Sequence, residues 1–481
     1  MISRWAKRFT DPDTLLIYGM SSAVEAAGVR YALRKDLNRY QPGSPLKLLL
    51  AGYAGTRNTG GDVRVEEMVR QFRRILGDRN IELSMFTIDP ALSAGYHRTV
   101  RQISLPTVFP KFLYDECSRH HGVVACEGSM FKSKFANALS TMMAGAMAIA
   151  GVEGKLSVGY GGEAGKMDEV LQEFLRKYLR SSLVICRNEA SRTIMDSLGL
   201  RTTVGTDTAW TFDAAPVSRA EQILREQGWD GEKPIVVMAP VNPFWWPAKP
   251  DVLKSTALRL GGQYRADHYK DIVFHSWSAT AEQRYEAYID GWVTALSAFV
   301  AEHGAFPVLV GSERLDRQAC EHMAERLPFR VPLLVSDDLD MYDLVAVLRR
   351  SDLVVSSRFH AIVNAMPAGV PSVAVTIDER LANLFEARGH EQYLLRAEDE
   401  GLGERLLACM RSAFTERDRL REEILRFLPG QLRGMAQMGM DFEDEVRRVY
   451  PDFPVRSGAR PVERYLPDLP AHLRAVMERY A

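Results

Sequence analysis

Cysteine is scarce in this 481-residue chain. Only Cys117, Cys126, Cys186, Cys320 and Cys409 occur; they are scattered, odd in number and without CxxC spacing. That argues against a zinc ribbon or a disulfide framework and reads as small buried hydrophobes in a reducing compartment. An excess of one charge is lacking too. Basic residues number 61 and acidic residues 62, a net charge of −1, without the basic surplus of a nucleic-acid binder. Long hydrophobic runs are missing. Arg4, Lys7 and Arg8 have no apolar stretch behind them, unlike a secretory signal. The most apolar segment, Ala138 to Val152, is closed by Glu153, short of the roughly 18 residues of a membrane span. It reads as a small-residue helix packed on a sheet, and the chain reads as cytoplasmic. HExxH, a nucleophile elbow, GxGxxG and a Walker loop are all absent, so no metal and no serine-hydrolase chemistry is indicated.

What is present is an ordinary globular composition, 46% hydrophobic and 26% charged, at a length that predicts two to three domains. Short apolar runs alternate with longer amphipathic ones, the pattern of βα units around a parallel sheet. Strands are expected at Leu48–Ala51, Ile81–Ile88, Gly122–Cys126, Leu156–Tyr160, Leu183–Cys186 and Arg201–Val204. Helices are expected between several of them, with an extra leading helix within 13–40. A second series, Pro234–Val241, Phe306–Val310, Val331–Val335, Leu353–Ser356 and Ser372–Thr376, follows a break near 213–233. The chain therefore divides into an α/β domain over 1–215, a second α/β domain over 232–402 and a helical extension with a Pro-punctuated tail over 403–481. Two doubly wound, Rossmann-like domains in succession place a ligand cleft between them, beyond the carboxyl ends of the strands. The stretch 242–284 interrupts the second series as a long loop.

Several strand-to-helix junctions carry chemistry. In Ser356-Ser357-Arg358-Phe359-His360, a buried strand runs into a helix that Ser357 is expected to cap. Arg358 and His360 then fall on the first turn, where free N–H groups and a guanidinium suit a phosphate or carboxylate. The plainer alternative is an Arg paired with a nearby acid and a His that caps the helix. Arg187 ends another strand ahead of Asn188-Glu189-Ala190-Ser191. The turn from Gly52 through Gly55, Asn58, Gly60 and Gly61 to Asp62 lets backbone approach a ligand closely. Glu127-Gly128-Ser129 forms a further turn, in which Glu127 is either a base or a turn-holding residue. Asp207 caps a turn or faces the cleft.

Taken in order, these segments resemble the polysaccharide pyruvyl transferase family. The resemblance rests on the Gly/Asn turn from Gly55 to Asp62, Arg187-Asn188-x-x-Ser191, the Gly205-Thr206-Asp207 turn, and Arg358-Phe359-His360 followed by Gly369-Val370-Pro371. It spans roughly Leu48 to His390. It implies a GT-B-like fold, phosphoenolpyruvate as donor, a saccharide or lipid-linked saccharide as acceptor, no metal and no other cofactor. Ketal formation on a hydroxyl pair would serve exopolysaccharide or glycan biosynthesis, with peripheral membrane contact made through the acceptor. The cationic donor site maps onto Arg187, Arg358 and His360, beside Phe359, Gly55, Asn58 and Ser129, with Arg380 where the family usually has Lys. His360 is the expected acid or phosphate ligand, and Glu127 or Asp62 the group that activates the acceptor hydroxyl. Asn188 replaces the usual Asp, and the 242–284 insertion lies outside the common pattern. Trp245 and Trp246 in that insertion offer a flat face for sugar stacking, unless their rings fold onto the domain. A nucleotide-sugar glycosyltransferase of the same fold and a non-catalytic carbohydrate-binding protein are the competing readings.

Overall fold

The computed structural model describes residues 11–34, 38–261 and 273–480. Arg4, Lys7, Arg8 and part of the 242–284 insertion lie outside the described residues. The leading helix α1 (Pro12–Leu33) starts at Asp11, whose carboxylate accepts from the Thr14 amide and so satisfies an open N-terminal donor. Seven strands follow: β1 (Leu46–Ala54), β2 (Ile81–Thr87), β3 (Arg101–Ser104), β4 (Gly122–Ala125), β5 (Leu156–Gly162), β6 (Leu183–Cys186) and β7 (Arg201–Val204). They alternate with α2 (Thr59–Leu76), α3 (Pro110–Cys117), α4 (Asn137–Val152), α5 (Glu169–Tyr178) and α6 (Glu189–Ser197). All pair in parallel, in the order β3-β2-β1-β4-β5-β6-β7. The apolar stretch of α4 is buried from Ser140 to Ala150. It lies between the sheet and α1, where small residues let the helices approach closely.

Helix α7 (Val217–Glu226) leads to β8 (Ile235–Ala239), then to β9 (Lys249–Pro250), α8 (Val252–Leu260) and β10 (Val273–Phe274). The second sheet continues through α9 (Ala279–His303), β11 (Phe306–Gly311), α10 (Arg317–Arg326), β12 (Leu333–Val335), α11 (Met341–Arg350), β13 (Leu353–Ser356), α12 (Phe359–Ala365), β14 (Ser372–Thr376), α13 (Glu379–Arg388) and β15 (Leu394–Arg396). Its order is β12-β11-β8-β13-β14-β15, again parallel. Both sheets thus reverse direction beside their first strand, at β1/β4 and at β8/β13. Those switch points are where loops diverge and leave a crevice.

Two strands escape the hydrophobic pattern. β3 is an edge strand with a largely exposed Arg101-Gln-Ile-Ser sequence, and β15 has three residues. The insertion is not a bare loop: β9 and β10 form an antiparallel pair and α8 follows β9. The C-terminal part is built into the body of the protein. Helix α14 (Leu402–Thr415) packs on α9. Helix α15 (Arg417–Val449) runs from the second sheet's side onto β5, β6, β7 and α2 of the first. There Phe442 stacks on Phe72 with centroids 4.3 Å apart. Tyr465, in the Pro-punctuated stretch before α16 (Ala471–Tyr480), is fully buried and donates to Glu443 at 2.7 Å. No helix among the described residues is long and apolar enough to cross a membrane.

Candidate active site

The carboxyl ends of the two sheets face each other across a cleft. Its polar end takes Tyr53 from the end of β1, Asn58 from the turn after it, Glu127 and Ser129 from the turn after β4, and Glu313, Arg358 and Arg380 from the second unit. Its other walls are apolar: Ile88, Leu105, Phe109, Leu139 and Met142 from the first unit, with Trp246 and Val273 from the insertion.

Arg358 does not stand free in front of α12. Its Nε lies 3.0 Å from both Asp316 oxygens and its Nη2 lies 2.9 Å from Glu313, with the side chain largely buried. Arg358 is itself the N-cap of α12; Ser357, the expected cap, instead shares a 2.9 Å hydrogen bond with the Tyr288 hydroxyl. Glu313 also accepts from the Tyr53 hydroxyl of the first unit at 3.4 Å. Burial pushes the Glu313 carboxyl up to about 7, against the pull of Arg358. Near neutral pH it is therefore partly protonated, in a cleft where a neutral carboxyl is a proton donor.

Behind the turn 127–129 lies a second charged cluster. Asp207 receives Arg187 Nη2 at 2.9 Å, His360 Nε2 at 3.2 Å and Arg64 Nε at 3.3 Å. All four side chains are nine-tenths buried or more. Burial would raise the Asp207 carboxyl, but Arg187, Arg64 and His360 hold it well below the usual carboxylate range. Burial lowers the His360 imidazole, and Asp207 offsets this only in part. Arg187 also meets Glu163 at 3.3 Å and lies 4.7 Å over the Phe359 ring. Gly128 makes room for it, since a Cβ there would fall 2.3 Å from Nη2. Gly60 does the same for His360, with a Cβ 2.3 Å from Nδ1. Helix α2 thereby brings the first unit directly against α12 of the second.

Arg380 lines the cleft and bonds Asp378 at 2.7 Å. The same acidic turn receives buried Lys132, 2.6 Å from Glu379 and 3.6 Å from Asp378. Burial would raise Asp378, but Arg380 and Lys132 hold it at about 2.

The structure thus brings Arg358, Arg380, Glu127, Asn58 and Ser129 to one cleft, whereas Arg187, Phe359 and His360 belong to the buried cluster around Asp207 and do not line it. Arg358 and His360 do not converge in front of the helix: one serves Asp316 and the other Asp207. Asp62, expected to activate a hydroxyl, is buried in the first turn of α2, 3.8 Å from His97. Burial would lower His97, but Asp62 and Glu66 raise it to about 9, so this acid balances a structural imidazolium. Gly55 serves the backbone, with φ of 78° and Thr87 and Asp89 packed against it. Trp245 is buried and stacks on His275 at 4.1 Å, whereas Trp246 reaches the cleft. Glu313, Asp316, Arg64 and Lys132 were missing from the sequence-based set. Gly311-Ser312-Glu313 at a strand's carboxyl end was the one legible signal among them.

The stability profile provides a check. Glu313 keeps its proton up to about pH 7 in the folded chain but releases it near its ordinary 4.5 when unfolded. The folded state binds more protons between those values, so this group's contribution to stability falls as pH rises from 4.5 to 7. Glu313→Gln should flatten that part of the profile in urea unfolding; an unchanged slope would place the Glu313 carboxyl in its ordinary range.

The comparisons bear on this geometry. The polysaccharide pyruvyl transferase family model matches residues 156–379. That span holds Arg187, Asp207, Glu313, Arg358 and His360 and ends within the Asp378-Glu379 turn. No curated protein matches the sequence. Among solved structures, Anabaena Alr3699/HepE in complex with UDP-glucose aligns with a TM-score of 0.52 at 13% identity, over 84% of this chain and 100% of that one. The S. aureus MnaA–UDP co-structure aligns with a TM-score of 0.50 at 9% identity, over 86% and 100%. The chain has a GT-B-like architecture of two parallel-sheet α/β units with a helical C-terminal part. Among the described residues, no group of three or more His, Cys, Asp or Glu side chains is placed to hold a metal ion.

Proposed function

We propose that the chain transfers a pyruvyl group from phosphoenolpyruvate to a pair of saccharide hydroxyls. The observation that carries this reading is the convergence of Arg358 and Arg380 with a protonatable Glu313 in one cleft, Glu313 and Arg358 lying inside the span matched by the family model and Arg380 next to its end. Phosphoenolpyruvate carries a phosphate and a carboxylate, and two separated guanidinium groups suit them. Within the cleft those guanidinium groups are held by carboxylates. Protonation of Glu313 removes one of the two negative charges beside Arg358, while Asp316 keeps the guanidinium in place, so the site favours an incoming anion. The C3 methylene then takes a proton, from Glu313 or from His360, and becomes a methyl group. One acceptor oxygen bonds the oxocarbenium-like C2, phosphate leaves with its bridging oxygen, and the second acceptor oxygen closes the ketal. The two hydroxyl protons balance the one taken up at C3 and the one leaving with phosphate. Glu127, open to the cleft, is placed to accept from an acceptor hydroxyl.

The test is phosphate release from phosphoenolpyruvate with a panel of acceptor glycans, run with and without a chelator. Turnover that survives chelation is expected; release with no acceptor, or none, overturns the reading. A nucleotide-sugar transferase is the second reading, favoured by the UDP-glucose held by the Anabaena protein. Release of nucleoside diphosphate from a nucleotide sugar would select it. The two tryptophans should part company. Trp246→Ala should raise the acceptor KM with donor affinity kept, because its ring lines the cleft. Trp245→Ala should lower stability by about 3–5 kcal/mol through loss of buried ring area. An unchanged acceptor KM in folded Trp246→Ala removes that residue from the site.

A further inference from the structure

The two guanidinium groups of the cleft stand in opposite surroundings. Arg358 is held by two acids, Asp316 and Glu313. Burial raises the Glu313 carboxyl against Arg358, and Asp316 and Glu127 add to the rise. Even with Glu313 neutral, this end sets one cation against the two carboxylates Asp316 and Glu127. Asp62 and Glu66 beyond Glu127 are offset by His97 and Arg57. Arg380 gives its Nε to Asp378 at 2.7 Å and forms no other ion pair among the described residues. Its terminal nitrogens remain on the cleft side of that contact.

The charge at Arg380 is set from the opposite unit. Lys132, in the turn after β4, is 1% exposed and reaches the turn before α13, 2.6 Å from Glu379 and 3.6 Å from Asp378. Its backbone is fixed within the first unit: the Lys132 carbonyl accepts from the Ser140 hydroxyl at 2.8 Å, and Phe131 bridges Ala164. Gly165 clears the path, since a Cβ there would collide with the Glu379 carboxylate. Lys134, two residues on, donates to the Ile377 carbonyl of the same turn. Arg380, Lys132 and Lys134 therefore meet Asp378 and Glu379, three cations against two acids. The buried groups behind them, Arg187 and Arg64 with Asp207 and Glu163, are matched in sign. Exposed charges further out, Arg314 at one end and Lys166 and Asp168 at the other, are screened by solvent. The Arg380 end is thus net positive and the Arg358 end net negative. Lys132 makes the difference, because without it Arg380 and Lys134 are cancelled by Asp378 and Glu379.

A phosphate monoester carries about two negative charges near neutral pH, and a carboxylate one, so the more positive end suits the phosphate. We infer that the Arg380 end of the cleft is the phosphate subsite of the donor, with the carboxylate left to Arg358, and that Lys132 is its positioning residue. Lys132 acts through Asp378 and Glu379, keeping both acids from claiming Arg380, and does not touch the ligand. The identity of the donor rests on the pyruvyl-transfer reading; the subsite does not. Inorganic phosphate is the probe, titrated by calorimetry into the full chain. Lys132→Met should weaken its binding about tenfold, and Arg380→Ala at least as much, whereas Arg358→Ala should change it less than about threefold. Glu379→Gln, at a partly exposed position, removes an acid and should tighten binding about threefold. A lysine that only braced the turn would give the opposite sign, since Glu379→Gln takes away its nearer partner. Lys132→Met combined with Glu379→Gln has the wild-type net charge and should bind phosphate within about threefold of the wild type. Unfolding midpoints check each variant, and Glu379→Gln and the double variant carry the test if Lys132→Met does not fold. Weaker binding in Glu379→Gln, no recovery in the double variant, or a wild type that phosphate does not bind overturns the inference. So does phosphate binding that is lost in folded Arg358→Ala and kept in Arg380→Ala. Phosphate release from phosphoenolpyruvate with an acceptor glycan reads the transfer separately. The predicted binding pattern without release in any form would reject pyruvyl transfer and leave the subsite standing.

Discussion

Asp207→Ala should unfold at a much lower denaturant midpoint than the wild type, with a loss on the order of 3–5 kcal/mol. Asp207 is the shared counter-ion of Arg187, Arg64 and His360, at 2.9, 3.3 and 3.2 Å. Arg64 is wholly enclosed and otherwise bonds only the backbone carbonyls of Cys126, Tyr160 and Gly161. Removing the carboxylate leaves two guanidinium groups with no solvent to turn to, which is the costly way to break a buried pair. Glu163 keeps one contact with Arg187, so the loss is partial there. Asp207→Asn keeps the shape and one acceptor oxygen and should fall between. The cluster also joins the two units, because Asp207 comes from the first and His360 from the second. Activity should therefore fall with stability, and phosphate release should stay low even under conditions where Asp207→Ala is folded. A midpoint within about 0.5 kcal/mol of the wild type, the ordinary range for a surface change, would show that Asp207 is not the keystone of this cluster.

Much of this arrangement was legible from residue patterns, and the reason is physical. Strands covered by helices on both faces must be apolar on both faces, so Leu48–Ala51 and Leu353–Ser356 announce themselves. The turns after them are marked by glycines and arginines because backbone and charge crowd together there. Partners are a different matter. Nothing near Arg358 in sequence distinguishes a guanidinium held by Asp316 from one awaiting a phosphate, since Asp316 lies 42 positions away on another element. Arg64 sits within an unremarkable helical run, and only the closure of β4, β5 and the Gly205–Asp207 turn around it makes it an interior cation. Asp62 illustrates the converse: its position after a glycine turn suits a base, but His97, from a loop beyond β2, claims it. The helical extension and its Pro-punctuated tail were legible, but their packing was not, since Tyr465 and Glu443 satisfy each other inside only once the chain has folded back.

Arg358→Ala should weaken phosphoenolpyruvate binding at least about thirtyfold, the lower end of the 2–5 kcal/mol lost when one partner of a buried charged pair is truncated. The guanidinium is fixed in advance by Asp316, through Nε, and by Glu313, through Nη2. A fork held in this way faces the cleft in one orientation, so little freedom is lost when an anion arrives. Arg358→Lys keeps the charge but cannot hold both acids and still present a planar pair, so it should recover only a minor part of the affinity. The same substitution has a second readout that a merely structural role would not produce. Glu313 is raised by burial and restrained by Arg358, and without that cation its carboxyl should rise above its present value of about 7. The alkaline limb of the activity profile should then move to higher pH in Arg358→Ala, as far as turnover remains measurable, should move less in Arg358→Lys, which keeps the charge, and should disappear in Glu313→Gln if Glu313 supplies the proton. Donor titration and single-turnover rates across pH separate these effects, since affinity follows the guanidinium and the limb follows the carboxyl. Near-wild-type donor binding in folded Arg358→Ala would remove the arginine from the donor site. A limb that stays fixed in every variant would transfer the proton to His360, whose imidazole is already biased by burial toward the neutral form.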